Sequence, residues 1–215
     1  MFIFDIDKDS FLDFGINDNL VQNWGYSVYH YWAKKYSNSM KNNKKKLILS
    51  DYWSRNDPLE YYCGNAYANA NKYYRHGETG NDYFDSLLYE INSIIDSAPR
   101  VPENLVVYRA LNRIDYCDFK EPFMELAPMS TSLSASILMR NNEDPSSDFS
   151  YCPYALKIYV SKGAKAVFID CLGEYRDTFD RNEMELLFPS GSQLCFSSSP
   201  INIYGKKVFE CLLVL

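Results

Sequence analysis

Through the first hundred residues, apolar and aromatic positions recur at intervals of three and four, and beyond residue 100 they gather into short blocks rich in Val, Ile, Tyr and Phe. Leu20, Trp24, Val28, Tyr31 and Trp32 mark one stripe, and Phe84, Leu87, Leu88, Ile91 and Ile95 mark another. That spacing puts each set on one face of an amphipathic helix. A third, broken pattern runs from Tyr61 through Ala66, Ala70 and Tyr74, and the pairs His76-Gly77 and Thr79-Gly80 stop it. The basic run over 41–46 reads as a solvated helix end or loop.

The later blocks predict strands over 105–110, 155–160, 166–169, 185–188, 193–196 and 207–215, because β-branched and aromatic residues suit a pleated, half-buried surface. Residues 141–150 are polar and turn-rich and predict a surface loop within the strand-rich half. Pro99 and Pro102 mark the change of texture as a short hinge. The predicted class is α+β: one domain over 1–215, with a mainly helical part over 1–100 packed on a mainly β part over 101–215.

Composition narrows the function. A chain of 215 residues with 47% hydrophobic and 23% charged residues is ordinary globular material. Lys and Arg number 22 against 28 Asp and Glu, for a net charge of −6, so counterion release gives no drive toward nucleic acid. The opening residues lack a basic n-region and an apolar run, and no stretch reaches the length of a membrane span. A soluble, cytoplasmic protein without a membrane partner is expected. The six cysteines are scattered, with no C-x-x-C pair and no neighbouring histidine cluster. Free thiols and no bound metal follow. His30 and His76 lie in the helical part, as structural or surface residues. Neither a G-x-G-x-x-G nor a P-loop sequence occurs.

Three elements carry candidate chemistry. The first is Val106-Val107-Tyr108-Arg109-Ala110, a β-forming run ending in a guanidinium whose planar fork suits phosphate or carboxylate. The second is Met129-Ser130-Thr131-Ser132-Leu133-Ser134, where an extended backbone would place Ser130 and Ser132 on one face and Thr131 on the other. The third is Asn182-Glu183-Met184-Glu185, followed by Leu186-Leu187-Phe188-Pro189-Ser190-Gly191. Strand geometry reaching both glutamates would put two carboxylates on one face, an arrangement with an electrostatic cost.

Taken together and in this order, the three elements resemble the Arg-Ser-Glu class of mono-ADP-ribosyltransferases, which includes clostridial binary and C3-like exoenzyme toxins and arginine-specific ectoenzymes. The resemblance covers the strand-rich half from Leu105 to about Phe196, and more loosely the helices before it. It implies an ADP-ribosyltransferase fold, with N-terminal helices packed on a two-sheet β core. It also implies NAD as the ADP-ribose donor, nicotinamide release, and a target protein as acceptor.

Residue by residue, the resemblance makes Glu185 the catalytic glutamate that meets the ribose 2′-hydroxyl and stabilises the ribosyl cation. Glu183 would face the acceptor, and a glutamate there goes with arginine as the modified side chain. Ser130 would hold Glu185 in orientation, Thr131 and Ser132 would support the pocket strand, and Arg109 would pair with the NAD phosphates. Arg140 stands as a second phosphate contact. Phe179 stands as an aromatic anchor for the target protein, in the loop over 175–182. Hydrolysis of NAD by water, and a non-catalytic binding module on the same fold, remain the alternatives. Delivery into a host cell without a classical signal is compatible with the family.

Overall fold

The helix α1 (Asp18–Asn43) buries Val21, Tyr29, Trp32, Ala33 and Tyr36, whereas Leu20 and Tyr31 face solvent. The buried stripe is therefore turned by one position from the one the hydrophobic periodicity selects. Gly25 is the reason. It lies on the Val21–Tyr29 line against Phe168, and a β-carbon there would collide with the Phe168 ring. A residue that hydropathy ignores thus decides which face of the helix lies on the sheet. In this computed structural model, residues 6–43, 57–111, 122–139, 152–174, 183–197 and 200–214 are described.

The broken third pattern is a helix with a π turn inside it. Asp57 caps α2 (Pro58–Tyr61), its carboxylate accepting from the Leu59 N–H at 2.9 Å, with Pro58 in the first helical position. The Tyr36 hydroxyl donates to the same carboxylate and ties α1 to α2. Five residues of π-helix, Tyr62–Ala66, lead into α3 (Tyr67–Arg75), which buries Ala70, Tyr73 and Tyr74. The wider π turn shifts the apolar stripe, so one helical period cannot fit the whole segment. After Asn81 as N-cap, α4 (Asp82–Ser97) buries Leu87, Ile91, Ile94 and Ile95, in agreement with its periodicity.

The strands are β1 (Leu105–Leu111), β2 (Phe123–Glu125), β3 (Met129–Ser132), β4 (Tyr154–Val160), β5 (Val167–Phe168), β6 (Glu185–Phe188), β7 (Ser192–Phe196), β8 (Ile201–Ile203) and β9 (Lys206–Val214). They pair in the order β2-β7-β9-β4-β1-β3-β6-β5, with β8 on β9. The two-sheet core is thus one hydrogen-bonded path made of two groups. β1 meets β3 through a single register pair, Tyr108 with Ser132, whereas β1 and β4 pair along their whole length. The β3-β6-β5 group is therefore joined to the larger one by that single register pair. The unpredicted strands β2 and β8 have three residues each and follow Pro122 and Pro200, too short for a period of two to show.

Alternation along β1 separates the two faces of the sheet. Leu105 and Val107 join the large core shared with the helices, and Val106 and Tyr108 join a smaller cluster with Ala155, Tyr159 and Val208. Ile6 and Phe11 of the N-terminal segment close this second cluster. The segment is pinned there by charge: the Tyr108 hydroxyl donates to the Asp13 carboxylate, Lys157 lies 3.1 Å from it, and Lys8 pairs with Glu210 at 2.6 Å. Among the described residues, no helix is long and apolar enough to cross a membrane.

Candidate active site

The alternation that sends Tyr108 to the outer cluster sends Arg109 to the face of Leu105 and Val107, where β1 leaves the core and reaches a cleft. A guanidinium with 12% of its side chain exposed needs an anion. Glu125, at the end of β2, supplies one: its Oε2 lies 3.3 Å from Arg109 Nη1. The same buried carboxylate accepts from Arg75 Nε of α3 at 3.0 Å and from the Ala127 N–H at 3.2 Å. One carboxylate therefore faces two guanidiniums. Among the described residues, Arg109 Nη1 makes no aligned hydrogen bond despite the nearby carboxylate. A buried cationic donor with unused capacity fits an anionic ligand such as a pyrophosphate.

The hydroxyl strand β3 lies between this cationic group and the acidic turn. Its register sets Ser130 opposite Leu187 and Ser132 opposite Glu185. Thr131 is buried, its hydroxyl donating to the Leu186 carbonyl at 2.7 Å, which locks β3 to β6. Ser130 is exposed on the cleft wall. The Ser132 hydroxyl donates to the Glu183 carbonyl at 2.7 Å and so anchors the acidic turn to β3.

The glutamates reach the cleft by a route that differs from strand alternation. β6 begins at Glu185, Glu183 precedes it, and Met184 between them has φ 54°, in the left-handed region. The period-two argument fails at this residue because the backbone turns there. Both carboxylate-bearing residues nevertheless line the cleft, with Arg109, Ser130, Thr131 and Ser132. The cleft holds about 310 Å³.

The opposite wall comes from the π turn and α3: Tyr62, Cys63, Tyr67, Asn71 and Arg75. Sequence reading passed over them. Their signal was the spacing of Tyr67, Asn71 and Arg75, four residues apart on one helical face. The Tyr62 hydroxyl donates to Asn71 Oδ1 at 2.6 Å. Burial pushes the Tyr62 phenol well up, with Cys63 and Glu185 adding to the shift and Asn71 and Arg109 opposing it, so Tyr62 serves as a neutral hydrogen-bonding group. Burial also raises the Cys152 thiol on the cleft wall, against the opposing charge of Lys206. Glu125, which holds both arginines, was missed because it is a lone acid on a three-residue strand.

Arg140, Phe179 and the loop over 175–182 lie outside the described residues, as does the loop over 141–150. His30 pairs with Glu174 at 3.2 Å, away from the cleft. Five cysteines, Cys63, Cys152, Cys171, Cys195 and Cys211, carry free thiols. Among the described residues, no group of three or more His, Cys, Asp or Glu could hold a metal ion.

An arginine strand, a hydroxyl strand and an E-x-E turn around one cleft form a constellation that can be compared with known proteins. The family model of the ADP-ribosyltransferase exoenzymes matches residues 21–207. The chain belongs to the ADP-ribosyltransferase exoenzyme family. Solved ADP-ribosyltransferases share its fold. Plx2a, an ADP-ribosyltransferase toxin from Paenibacillus larvae, superposes with a TM-score of 0.68 at 17% identity, over 95% of this chain and 100% of Plx2a. The C3 exoenzyme of Clostridium limosum gives 0.61 at 21% identity, over 96% of this chain and 98% of that one. The ADP-ribosylating toxin BECa of C. perfringens, solved with NADH, gives 0.61 at 19% identity, over 95% of this chain and 50% of BECa. No curated protein matches the sequence. The α+β class, with N-terminal helices on a large sheet, is that of these ADP-ribosyltransferase toxins.

Proposed function

We propose that this protein transfers ADP-ribose from NAD to an arginine side chain of a target protein. The observation that carries the reading is the convergence of Arg109, Ser130, Glu183 and Glu185 on one cleft, although Arg109 and Glu185 are far apart in sequence. The unsatisfied Arg109 Nη1 and the half-exposed Arg75 form the cationic end, which takes the pyrophosphate. Tyr62, Tyr67 and Asn71 supply aromatic faces and an amide to the rest of the dinucleotide. NAD-bound C3stau2 of S. aureus has the same fold and supports this donor.

In the reaction, the bond between nicotinamide and ribose C1′ breaks, and its electron pair leaves with nicotinamide. Positive charge develops on the ribose, as in glycoside hydrolysis. Glu185 accepts a hydrogen bond from the ribose 2′-hydroxyl and stabilises that charge from a position fixed before the reaction. A guanidinium is charged at any ordinary pH and is a poor nucleophile. Glu183 orients it and takes its proton as the new C–N bond forms.

The test uses the full chain with NAD and agmatine as a soluble guanidine, followed by a protein lysate. The expected product is ADP-ribosyl-agmatine, and in the lysate, fragmentation spectra that place the added ADP-ribose on arginine. Release of nicotinamide with free ADP-ribose as the sole product assigns water as the acceptor and overturns the arginine reading.

A further inference from the structure

Met184 is an L-residue with a full side chain, 2% exposed, held at a backbone angle that glycine or asparagine adopts far more readily. Such a conformation persists only where the surroundings over-determine it. Here they do. The Asp170 carboxylate accepts from both flanking amides, Oδ2 from the Met184 N–H at 3.2 Å and Oδ1 from the Glu185 N–H at 3.1 Å. The Leu133 N–H donates to the Met184 carbonyl at 3.0 Å, and the Ile169 N–H donates to the Glu185 carbonyl at 2.9 Å.

We propose that Asp170 is a positioning residue for ADP-ribose transfer: its two oxygens clamp Met184 in the left-handed conformation and so aim Glu185 into the cleft. This rests on the reading that Glu185 meets the ribose.

Three features of the molecule carry the inference beyond a local hydrogen bond. First, each carboxylate oxygen serves a different amide, which the single carbonyl oxygen of asparagine cannot reproduce at both positions. Second, Asp170 opens the short helix α5 (Asp170–Gly173), whose Cys171 and Leu172 are buried, and Cys171 Sγ donates to the Gly25 carbonyl of α1 at 3.4 Å. The clamp is thus fixed to the helical core through α5. Third, a further carboxylate beside Glu183 and Glu185 is electrostatically unfavourable, and a turn without strain would not need it. Were residue 184 to relax to negative φ, the Cα–Cβ direction of Glu185 would rotate, and a displacement of about 1 Å at a reacting group costs on the order of a hundredfold in rate.

The experiment compares Asp170→Ala and Asp170→Asn with wild type in nicotinamide release, NAD affinity by calorimetry and melting temperature, in the wild-type background and in Met184→Gly. Asp170→Ala is expected to lower kcat by about ten- to a hundredfold with the NAD Kd within about twofold, and Asp170→Asn to lose less. In the Met184→Gly background, where the left-handed turn carries no steric cost, the same substitution costs less than about threefold. Met184→Asn replaces the glycine variant if that one does not fold, and Asp170→Asn carries the comparison if Asp170→Ala does not. Full turnover in both Asp170 variants, a Kd that rises in step with the loss, or equal losses in the two backgrounds overturns the proposal. Undiminished nicotinamide release by Glu185→Gln would instead overturn the reading of Glu185, and that variant is measured alongside.

Discussion

Tyr108 and Ser132 form the one backbone pair through which β1 meets β3, and each stands next to a different part of the cleft. Arg109 follows Tyr108, and Ser132 pairs with Glu185 on its other side. The cationic end of the cleft and its acidic turn are therefore related through a single rung of the sheet. Tyr108 is held from the far face as well, since its hydroxyl donates to Asp13. Among the described residues, the N-terminal segment 6–17 thus supports the cleft through the sheet and does not line it.

Arg109→Lys keeps a positive charge beside Glu125 and removes the planar fork. The loss of paired hydrogen bonding should weaken NAD binding about tenfold while leaving kcat within about threefold, because the group binds the donor and not the reacting carbon. Titration calorimetry and initial rates measure the two effects separately.

Glu183→Gln keeps the size of the side chain and removes its capacity to take a proton. Transfer to agmatine should fall by about a hundredfold or more, while nicotinamide release with water as acceptor continues near the wild-type rate. Equal losses in the two assays would place Glu183 with the donor and not with the acceptor.

Gly25→Ala puts a methyl group into the Phe168 ring. Overpacking of this kind costs about 1–3 kcal/mol, and the helix propensity gained, about 1 kcal/mol, only partly offsets it. The melting temperature should fall. An unchanged or raised value would show that α1 and β5 are not in the contact described.

Asp13 and Glu210 make stability depend on acid. Burial pushes each carboxyl up, but hydrogen bonds from Tyr108 and the Gly15 N–H, with Lys157, outweigh it at Asp13, and Lys8 and Tyr159 outweigh it at Glu210. Both folded values lie below the ordinary carboxylate range. A depressed folded pKa contributes stability that is complete above the unfolded value of about 4 and is lost as pH falls through the folded value. Melting temperatures between pH 7 and pH 3 should therefore drop most steeply below about pH 4. Asp13→Asn should be less stable at pH 7 and show a shallower drop.

Much of this fold was legible in the sequence, for reasons particular to each element. The stripe of α4 stands out because its burial follows the helical period, and the strands at 105–110 and 185–188 stand out as short apolar blocks, buried on both faces over 105–108 and 185–188. On α1 the reading turned by one position because the contact is made at a residue without a side chain. The π turn at Tyr62–Ala66 hid the second wall of the cleft by breaking the helical period across it. Arg109, Ser130, Glu183 and Glu185 were visible as residue types in a family order. Glu125 and Asp170 were not, because each acts by holding other groups, and such partnerships form only once β2 and α5 are folded against the cleft.

The measurement that bears most directly on the cleft is nicotinamide release from NAD by wild type and by Glu185→Gln, with the NAD Kd of each determined on the same preparations. The wild-type protein should release nicotinamide, and the variant should be slower by about a hundred- to a thousandfold with its affinity within about threefold. Equal rates from the two proteins, or no binding of NAD by either, would contradict the assignment of this cleft to ADP-ribose transfer.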